Sequence, residues 1–284
     1  LHSLRRRQRQ MCIRDSDNAW FGVGLECCTM ITVRNCSFTR SGIAIAGDDL
    51  AHFIHRIEGN TVNGRSLCYV VNATNYIIPP NTGQVIVVNS KNVIIDSLNL
   101  SYTCVGIEAV YSSDVNISGC TINNNTLGIE IWYCDVAHIV NCTISNNFNG
   151  IYCVRSSNIA VHYCDIYSNR YHGLYNDGEY VVNATYCWWG SPDGPEYKVE
   201  GDPEDPEEVY SEDGPEYLIY EPWLTEPYRR APKPSGCFLR FLSRTALGNI
   251  IDVFQMPCLY LIGFSALPAY THLMVNLIVN LEYG

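Results

Sequence analysis

The chain has 284 residues, of which 47% are hydrophobic and 17% are charged, and its formal net charge is −11 at pH 7. This length and composition are enough to bury a sizeable core. The acidic balance argues against a nucleic-acid partner, because such a protein needs a basic face.

The first sixteen residues, LHSLRRRQRQMCIRDS, differ in character from the rest of the chain. They are basic, but they have neither the apolar segment nor the cleavage site of a secretory signal. Residues 1–16 resemble a translated sequencing-adapter artefact or a disordered segment. The true start of the protein is therefore expected to be missing, and the folded region is expected to begin at Asp17.

A repeat begins soon after this segment and is then interrupted. Gly22 precedes Cys36 by 14 residues, an interval that recurs between Gly106 and Cys120. After the first coil, the apolar runs are spaced too widely for a regular repeat. Residues 48–80 are therefore predicted to leave the stack as a lateral insertion.

The centre of the chain repeats one pattern four times. Glycine recurs at spacings of 22, 22 and 23 residues, and cysteine recurs in step with it. The positions are Gly106, Gly128, Gly150 and Gly173, followed by Cys120, Cys142, Cys164 and Cys187. Each copy contains three short runs in which apolar and polar residues alternate, which is typical of strands. Coils this small must stack to bury their apolar faces. The sequence therefore predicts an all-β solenoid, a parallel β-helix with three strands per coil of about 22 residues, over residues 17–189.

Polar corners and a cysteine column accompany the repeat. Asparagines at 124/125 and 146/147, with Asn169 in the next coil, tolerate left-handed backbone and are expected to bond to neighbouring amides when stacked. The cysteines in step with the glycines are interpreted as small inward-facing fillers rather than disulfide partners. Seven Asn-x-Ser/Thr sequons favour export, and an extracellular, cell-surface or periplasmic location is expected.

One column of the repeat carries the candidate site residues. Glu108, Glu130, Tyr152 and Tyr175 occupy the same position of successive copies and are predicted to face solvent as one strip. Stacked carboxylates raise each other's pKa or bind a cation such as Ca²⁺. Stacked tyrosines offer a platform for a sugar ring. The alternative interpretation is an ordinary solvated face.

The C-terminal third differs in composition from the repeat. Residues 190–236 are rich in proline and acid and are predicted to form a cap and linker over the last coil. Residues 237–284 end in a long uncharged stretch that is interpreted either as a membrane anchor or as a misread tail. The membrane interpretation would place the solenoid in the cytoplasm, which conflicts with export.

Several stretches resemble one known family. GIAIAGDDLAHFIHRIEGNTVNG, GIEIWYCDVAHIVNCTISNNFNG, ATYCWWGSPDGPEY and YEPWLT are similar to the NosD-like right-handed parallel β-helix proteins, over roughly residues 17–227. The resemblance implies a right-handed parallel β-helix, with repeats of the kind found in carbohydrate-binding proteins and sugar hydrolases. It does not by itself imply one activity.

Three functions remain open at this stage. The first is an exported surface protein that binds a polysaccharide or a cell-surface protein along its flat faces, without catalysis. The second is a polysaccharide lyase or hydrolase that uses Glu108 and Glu130. The third, implied by the resemblance, is an accessory protein for copper-site maturation. A copper site is not expected, because His138, His162 and His172 do not fall in one column of the repeat.

Overall fold

The structure is a computed structural model that describes residues 22–197 and 209–228, together with the backbone of 238–244 and 250–257. Two compact units are present, residues 1–231 and residues 232–284. The predicted artefact at residues 1–16 lies outside the described residues.

The described part of the chain starts with two short coils of three strands each. Their strands are β1 Val23–Glu26, β2 Thr32–Arg34, β3 Ser37–Phe38, β4 Ile43–Ala46, β5 Arg56–Glu58 and β6 Thr61–Val62. β1 pairs in parallel with β4, β2 with β5, and β3 with β6. A 3-10 turn, Leu50–Phe53, lies between β4 and β5. The first coil of the predicted repeat is therefore present.

The chain then reverses direction at Asn63 and Gly64. Both residues have positive φ, 50° and 76°, and they join β6 to the next strand, β7 (Arg65–Val71), in an antiparallel pair. An Asn-Gly pair suits such a tight hairpin, because its turn needs positive φ at both central positions. The reversal turns the first two coils back along the following ones.

The following coils form the main stack. Its further strands are β8 Thr74–Ile77, β9 Thr82–Val88, β10 Lys91–Asp96, β11 Asn99–Ser101, β12 Val105–Val110, β13 Ser113–Ser118, β14 Thr121–Asn123, β15 Leu127–Trp132, β16 Ala137–Val140, β17 Thr143–Ser145, β18 Asn149–Val154, β19 Ile159–His162, β20 Asp165–Tyr167, β21 His172–Asp177, β22 Val182–Asn183, β23 Val209–Ser211 and β24 Leu218–Ile219.

Three sheets make up the faces of this stack. The first runs β3-β6-β7-β9-β12-β15-β18-β21-β23, the second β8-β10-β13-β16-β19-β22-β24, and the third β11-β14-β17-β20. Inward side chains from all three sheets, such as Ile129, Ile139 and Ile144, are fully buried in one core. The predicted all-β parallel β-helix with coils of about 22 residues is confirmed.

The segment 48–80 does not form the lateral insertion that its spacing predicted. It supplies β5 and β6 to the first two coils, and β7 and β8 to the first and second sheets. Cys68 pairs with Val85, so the coil between them is only 17 residues long. This coil lacks a strand in the third sheet, which is why a search for a 22-residue period fails there.

The first two coils pack on the outer face of the first sheet. Ile86, Val88 and Val110 alternate with inward residues of β9 and β12, and they share a second core with Phe53 and Ile45 of the two coils. The backbone N–H of Ile43 also donates to Oε1 of the buried Gln84 at 3.0 Å. This part of the first sheet is therefore covered on both faces.

The asparagine corners form the expected ladder. Asn124 and Asn146 have positive φ, 55° in each. The neighbouring Asn147 accepts from the backbone N–H of Asn125 at 3.0 Å and donates to the carbonyl of Ile122 at 3.2 Å. Such bonds satisfy backbone groups that the turn would otherwise bury unpaired.

The repeated glycines, such as Gly106 and Gly128, lie beside this ladder for a steric reason. A Cβ at Gly106 would lie 2.6 Å from the carbonyl oxygen of Gly128 in the next coil. The cysteines of the repeat are buried in the core, and no disulfide joins the described cysteines to one another. Both features of the repeat thus serve close stacking of the coils.

Residues 209–228 cover the end of the stack. β23 adds to the edge of β21 and β24 adds to the edge of β22. Trp189 is fully buried, and the indole N–H of Trp223 donates to the carbonyl of Pro192 at 3.2 Å. The outermost strands of the last coil therefore have hydrogen-bonding partners.

The second unit is described only by its backbone. It contains β25 Phe238–Arg244 and β26 Ile250–Pro257, which pair antiparallel. Most of the uncharged stretch that suggested a membrane anchor lies outside the described residues. Within the described part of the chain, no helix has the length and apolar character needed to span a membrane.

Candidate functional site

The predicted strip is one outward column of the first sheet. Glu108 pairs with Glu130, Glu130 with Tyr152, and Tyr152 with Tyr175 on successive strands. Parallel strands are about 4.8 Å apart, so these side chains follow one another closely. The column continues to Tyr210 of β23. The register that the sequence predicted for these four residues is therefore present.

The prediction that Glu108 faces solvent is wrong. Its exposed fraction is 0%, and its Oε2 accepts a hydrogen bond from the backbone N–H of Ile45 at 3.3 Å. Oε1 is buried without a hydrogen-bond partner. Burial, together with the charge of Glu130, raises the pKa of Glu108 well above its ordinary value. The cause is the packing of the first two coils over this end of the strip.

Glu130 lies where the covered part of the column meets the open part. It is 7% exposed, and burial raises its pKa to about 8. A carboxyl with this pKa is mostly protonated at neutral pH, so it can donate a hydrogen bond as well as accept one. The predicted solvent-facing carboxylate is therefore a nearly buried carboxylic acid.

The tyrosines form the open part of the column. The rings of Tyr152 and Tyr175 stack with centroids 4.5 Å apart and an interplanar angle of 4°. Tyr210 follows at 5.5 Å from Tyr175, and the imidazole of His172 stacks on Tyr210 at 5.5 Å. Tyr152 and Tyr175 are both half-buried, so each leaves part of its surface to solvent.

More aromatic residues join this surface than the sequence predicted. Tyr171 lies 4.2 Å from His172 and stacks on Phe148 at 5.5 Å, with distances measured between ring centroids. His172 was considered only as a metal ligand, and Tyr210 belongs to a segment without the repeat. The repeat gave no signal for either residue, since the register partner of His172 in the preceding coil is Asn149, which is not aromatic.

Acidic side chains flank the tyrosines. The hydroxyl of Tyr175 donates to Oε1 of Glu212. Burial and the charge of Glu212 raise the pKa of Asp177, whereas Arg155 acts in the opposite direction. The open part of the strip thus combines flat aromatic faces with carboxylate acceptors.

The geometry of the glutamate pair does not favour the binding of a cation. Among the described residues, the only group of three metal-binding side chains whose ligand atoms lie close together is Cys27, Asp48 and His52. Glu108 and Glu130 have no third ligand of that kind, and a protonated Glu130 is a poor ligand for Ca²⁺. His138 and His162 lie on neighbouring strands but out of register, as their sequence positions indicated.

His55 lies in the loop between β4 and β5. Its Nδ1 accepts from the backbone N–H of Ile31 at 3.3 Å, which links the loop after β4 to the preceding coil. Burial lowers the pKa of His55, so the neutral form that accepts this bond is favoured.

Comparison with known proteins supports the fold class. Residues 57–190, just under half of the chain, match a family model described as right handed beta helix region. The class that the fold and this match define is the right-handed parallel β-helix. In the same comparisons, no curated protein and no solved structure matches the chain. The narrower resemblance to NosD-like proteins stays a prediction.

Proposed function

We propose that the protein binds a polysaccharide along the tyrosine part of the strip. The observation that carries the proposal is the pair Tyr152 and Tyr175, stacked at 4.5 Å on a flat outer sheet face and continued by Tyr210. Aromatic rings pack on the apolar faces of sugars. Carboxylates beside them, such as Glu212, accept hydrogen bonds from hydroxyl groups.

Export is part of this proposal. The asparagines of the sequons at Asn35, Asn72, Asn99, Asn124 and Asn141 are exposed, as glycan attachment requires. An acidic surface protein outside the cytoplasm would meet polysaccharides, and cell-surface proteins are the alternative partner. The buried cysteines are compatible with export, because they are core residues rather than surface thiols.

A glycan array tests the proposal. Tyr152→Ala combined with Tyr175→Ala should raise the apparent Kd for any bound glycan at least about tenfold, equivalent to about 1.4 kcal/mol. A matched control is Tyr111→Asn with Tyr133→Asn. This second pair is stacked at 4.8 Å but lies at a corner, where Asn accepts the positive φ.

The result that supports the proposal is lost binding in the strip variant and retained binding in the corner variant. Retained binding in the strip variant would contradict the assigned surface. Absence of binding by the wild-type protein to every glycan tested would overturn carbohydrate binding and favour a protein partner.

A second candidate is cleavage of the bound polysaccharide. It is favoured by one observation, the raised pKa of about 8 at Glu130, since a general acid must hold its proton at working pH. Glu108 is sealed beneath β4 and is therefore less suited to contact substrate. If cleavage occurs, Glu130→Gln should abolish turnover while leaving glycan binding intact, measured as release of reducing ends with and without added Ca²⁺.

A further inference from the structure

A second cluster of functional groups lies at a corner of the first two coils. Cys27 follows directly after β1 and has a positive φ of 46°. Its backbone N–H donates to the carbonyl of Ala46 at 2.9 Å, which holds it beside the end of β4. Asp48 and His52 lie just beyond that end. Residues from two successive coils therefore meet at this corner.

The ligand atoms of the cluster are close to the spacing of a metal site. One sulfur, one carboxylate oxygen and one imidazole nitrogen, from Cys27, Asp48 and His52, all lie within 4.8 Å of one another. Oδ1 of Asp48 is 3.1 Å from Nδ1 of His52. Ligands at about 2.0–2.3 Å from a tetrahedral zinc ion are about 3.3–3.8 Å apart. Small side-chain rotations would therefore complete the set.

The backbone and a neighbouring glycine fix the position of His52 in the cluster. Its Nδ1 is inaccessible to solvent and lies 3.1 Å from Oδ1 of Asp48. The backbone holds the residue there, because His52 N–H donates to the carbonyl of Asp49 at 2.9 Å. A Cβ at Gly47 would lie 2.7 Å from the same nitrogen, so a glycine is needed beside it. The imidazole is therefore held against the carboxylate of Asp48, where the sulfur of Cys27 also lies.

We propose that Cys27, Asp48 and His52 bind one Zn²⁺ ion, with water in the fourth position. Thiolate, carboxylate and imidazole are all ligands that zinc accepts, and a mixed set of this kind suits a borderline-soft ion. On binding, the thiol of Cys27 releases its proton to solvent as the Zn–S bond forms. The ion joins the corners of the first and second coils and so stabilises the region that covers Glu108.

Metal titration of the full-length, reduced and metal-free protein tests this site. The wild-type protein should take up one equivalent of Zn²⁺, and Co²⁺ should give the thiolate charge-transfer absorption of a cysteine ligand. Cys27→Ser should lose that absorption and the stoichiometric zinc, and Asp48→Asn and His52→Gln should lose the zinc. Zinc should also raise the Tm of the wild type but not that of Cys27→Ser.

Cys28→Ser is the matched control. This neighbouring thiol bonds to the carbonyl of Glu26 at 3.1 Å and does not belong to the cluster, so the variant should bind zinc as the wild type does. The proposal would be overturned if the wild type took up no zinc or if Cys27→Ser took up as much zinc as the wild type. It would also be overturned if Cys28→Ser lost as much zinc binding as Cys27→Ser. Asp48 is 84% exposed in its side chain, so Asp48→Asn keeps the test valid if another variant fails to fold.

Discussion

Glu108 and Glu130 are register partners on adjacent strands, and both are almost completely removed from solvent. Two carboxyl groups this close and this poorly solvated cannot both ionise easily, because each charge is desolvated and repels the other. The pair also marks the boundary at which the first two coils stop covering the column and the tyrosines begin. Burial, rather than simple stacking on an open face, therefore governs its chemistry.

Raising the pH should destabilise the protein through this pair. The folded-state pKa of Glu130 is about 8, above its ordinary value of 4.5, so between these values the folded state holds a proton that the unfolded state releases. The stabilisation that this bound proton provides is complete below about pH 4.5 and is lost as the pH rises through 8. One pKa unit corresponds to about 1.4 kcal/mol, so a decline of a few kcal/mol is expected.

Urea unfolding between pH 5 and 8 measures this decline, and Glu108→Gln with Glu130→Gln isolates its source. The double variant should be the more stable protein at pH 8 and have a flatter profile. His55, His138 and His162 act in the opposite direction, because burial lowers their pKa values, so the wild type and variant must be compared at each pH. Glu196→Gln, the same substitution at an exposed position, is the matched control. A double variant with an unchanged profile would show that the pair does not titrate as described.

The core register is tested by two neighbouring substitutions on β16. Ile139 is fully buried, whereas His138 is half-buried on the outer side of the same strand. Ile139→Asp places an unpaired charge in the core and should cost more than about 4 kcal/mol or unfold the stack. His138→Asp should cost far less. Equal losses in the free energy of unfolding would show that the assigned faces are wrong.

The asparagine ladder should contribute measurably to stability. Asn147→Ala removes the bonds to Asn125 N–H and to the Ile122 carbonyl and leaves both groups buried. The expected loss is roughly 2–4 kcal/mol, measured by urea unfolding. Asn116→Ala is a suitable control, because Asn116 is half-buried on β13 and bonds to the carbonyl of Asp114 two residues away. Losses of the same size in both variants would assign the corners no special role.

The regular part of the fold could be predicted from the sequence, because each coil repeats the same local pattern. The inward positions of Ile129 and Ile139 follow directly from the alternation around the repeated glycines. The reversal at Asn63 and Gly64 carried a known hairpin signal, but its consequence depends on what the reversed coils then contact. Ile45 covers Glu108 across 63 residues of chain, and no local pattern encodes such a contact. Tyr210 was missed for a similar reason, since its segment contains no repeat.

Removing the end of the main stack should make the protein aggregate. A chain that ends at Gly190 lacks β23 and β24, so the backbone groups of β21 and β22 that pair with them would be exposed as open strand edges. It also loses the bond from Leu224 N–H to the carbonyl of Cys187 at 2.9 Å. The control is a chain that ends at Ala231, which keeps all of the first unit and should stay monomeric. Light scattering after size-exclusion chromatography distinguishes the two. If the shorter chain were equally soluble and equally stable, residues 209–228 would not protect the edges on which they lie.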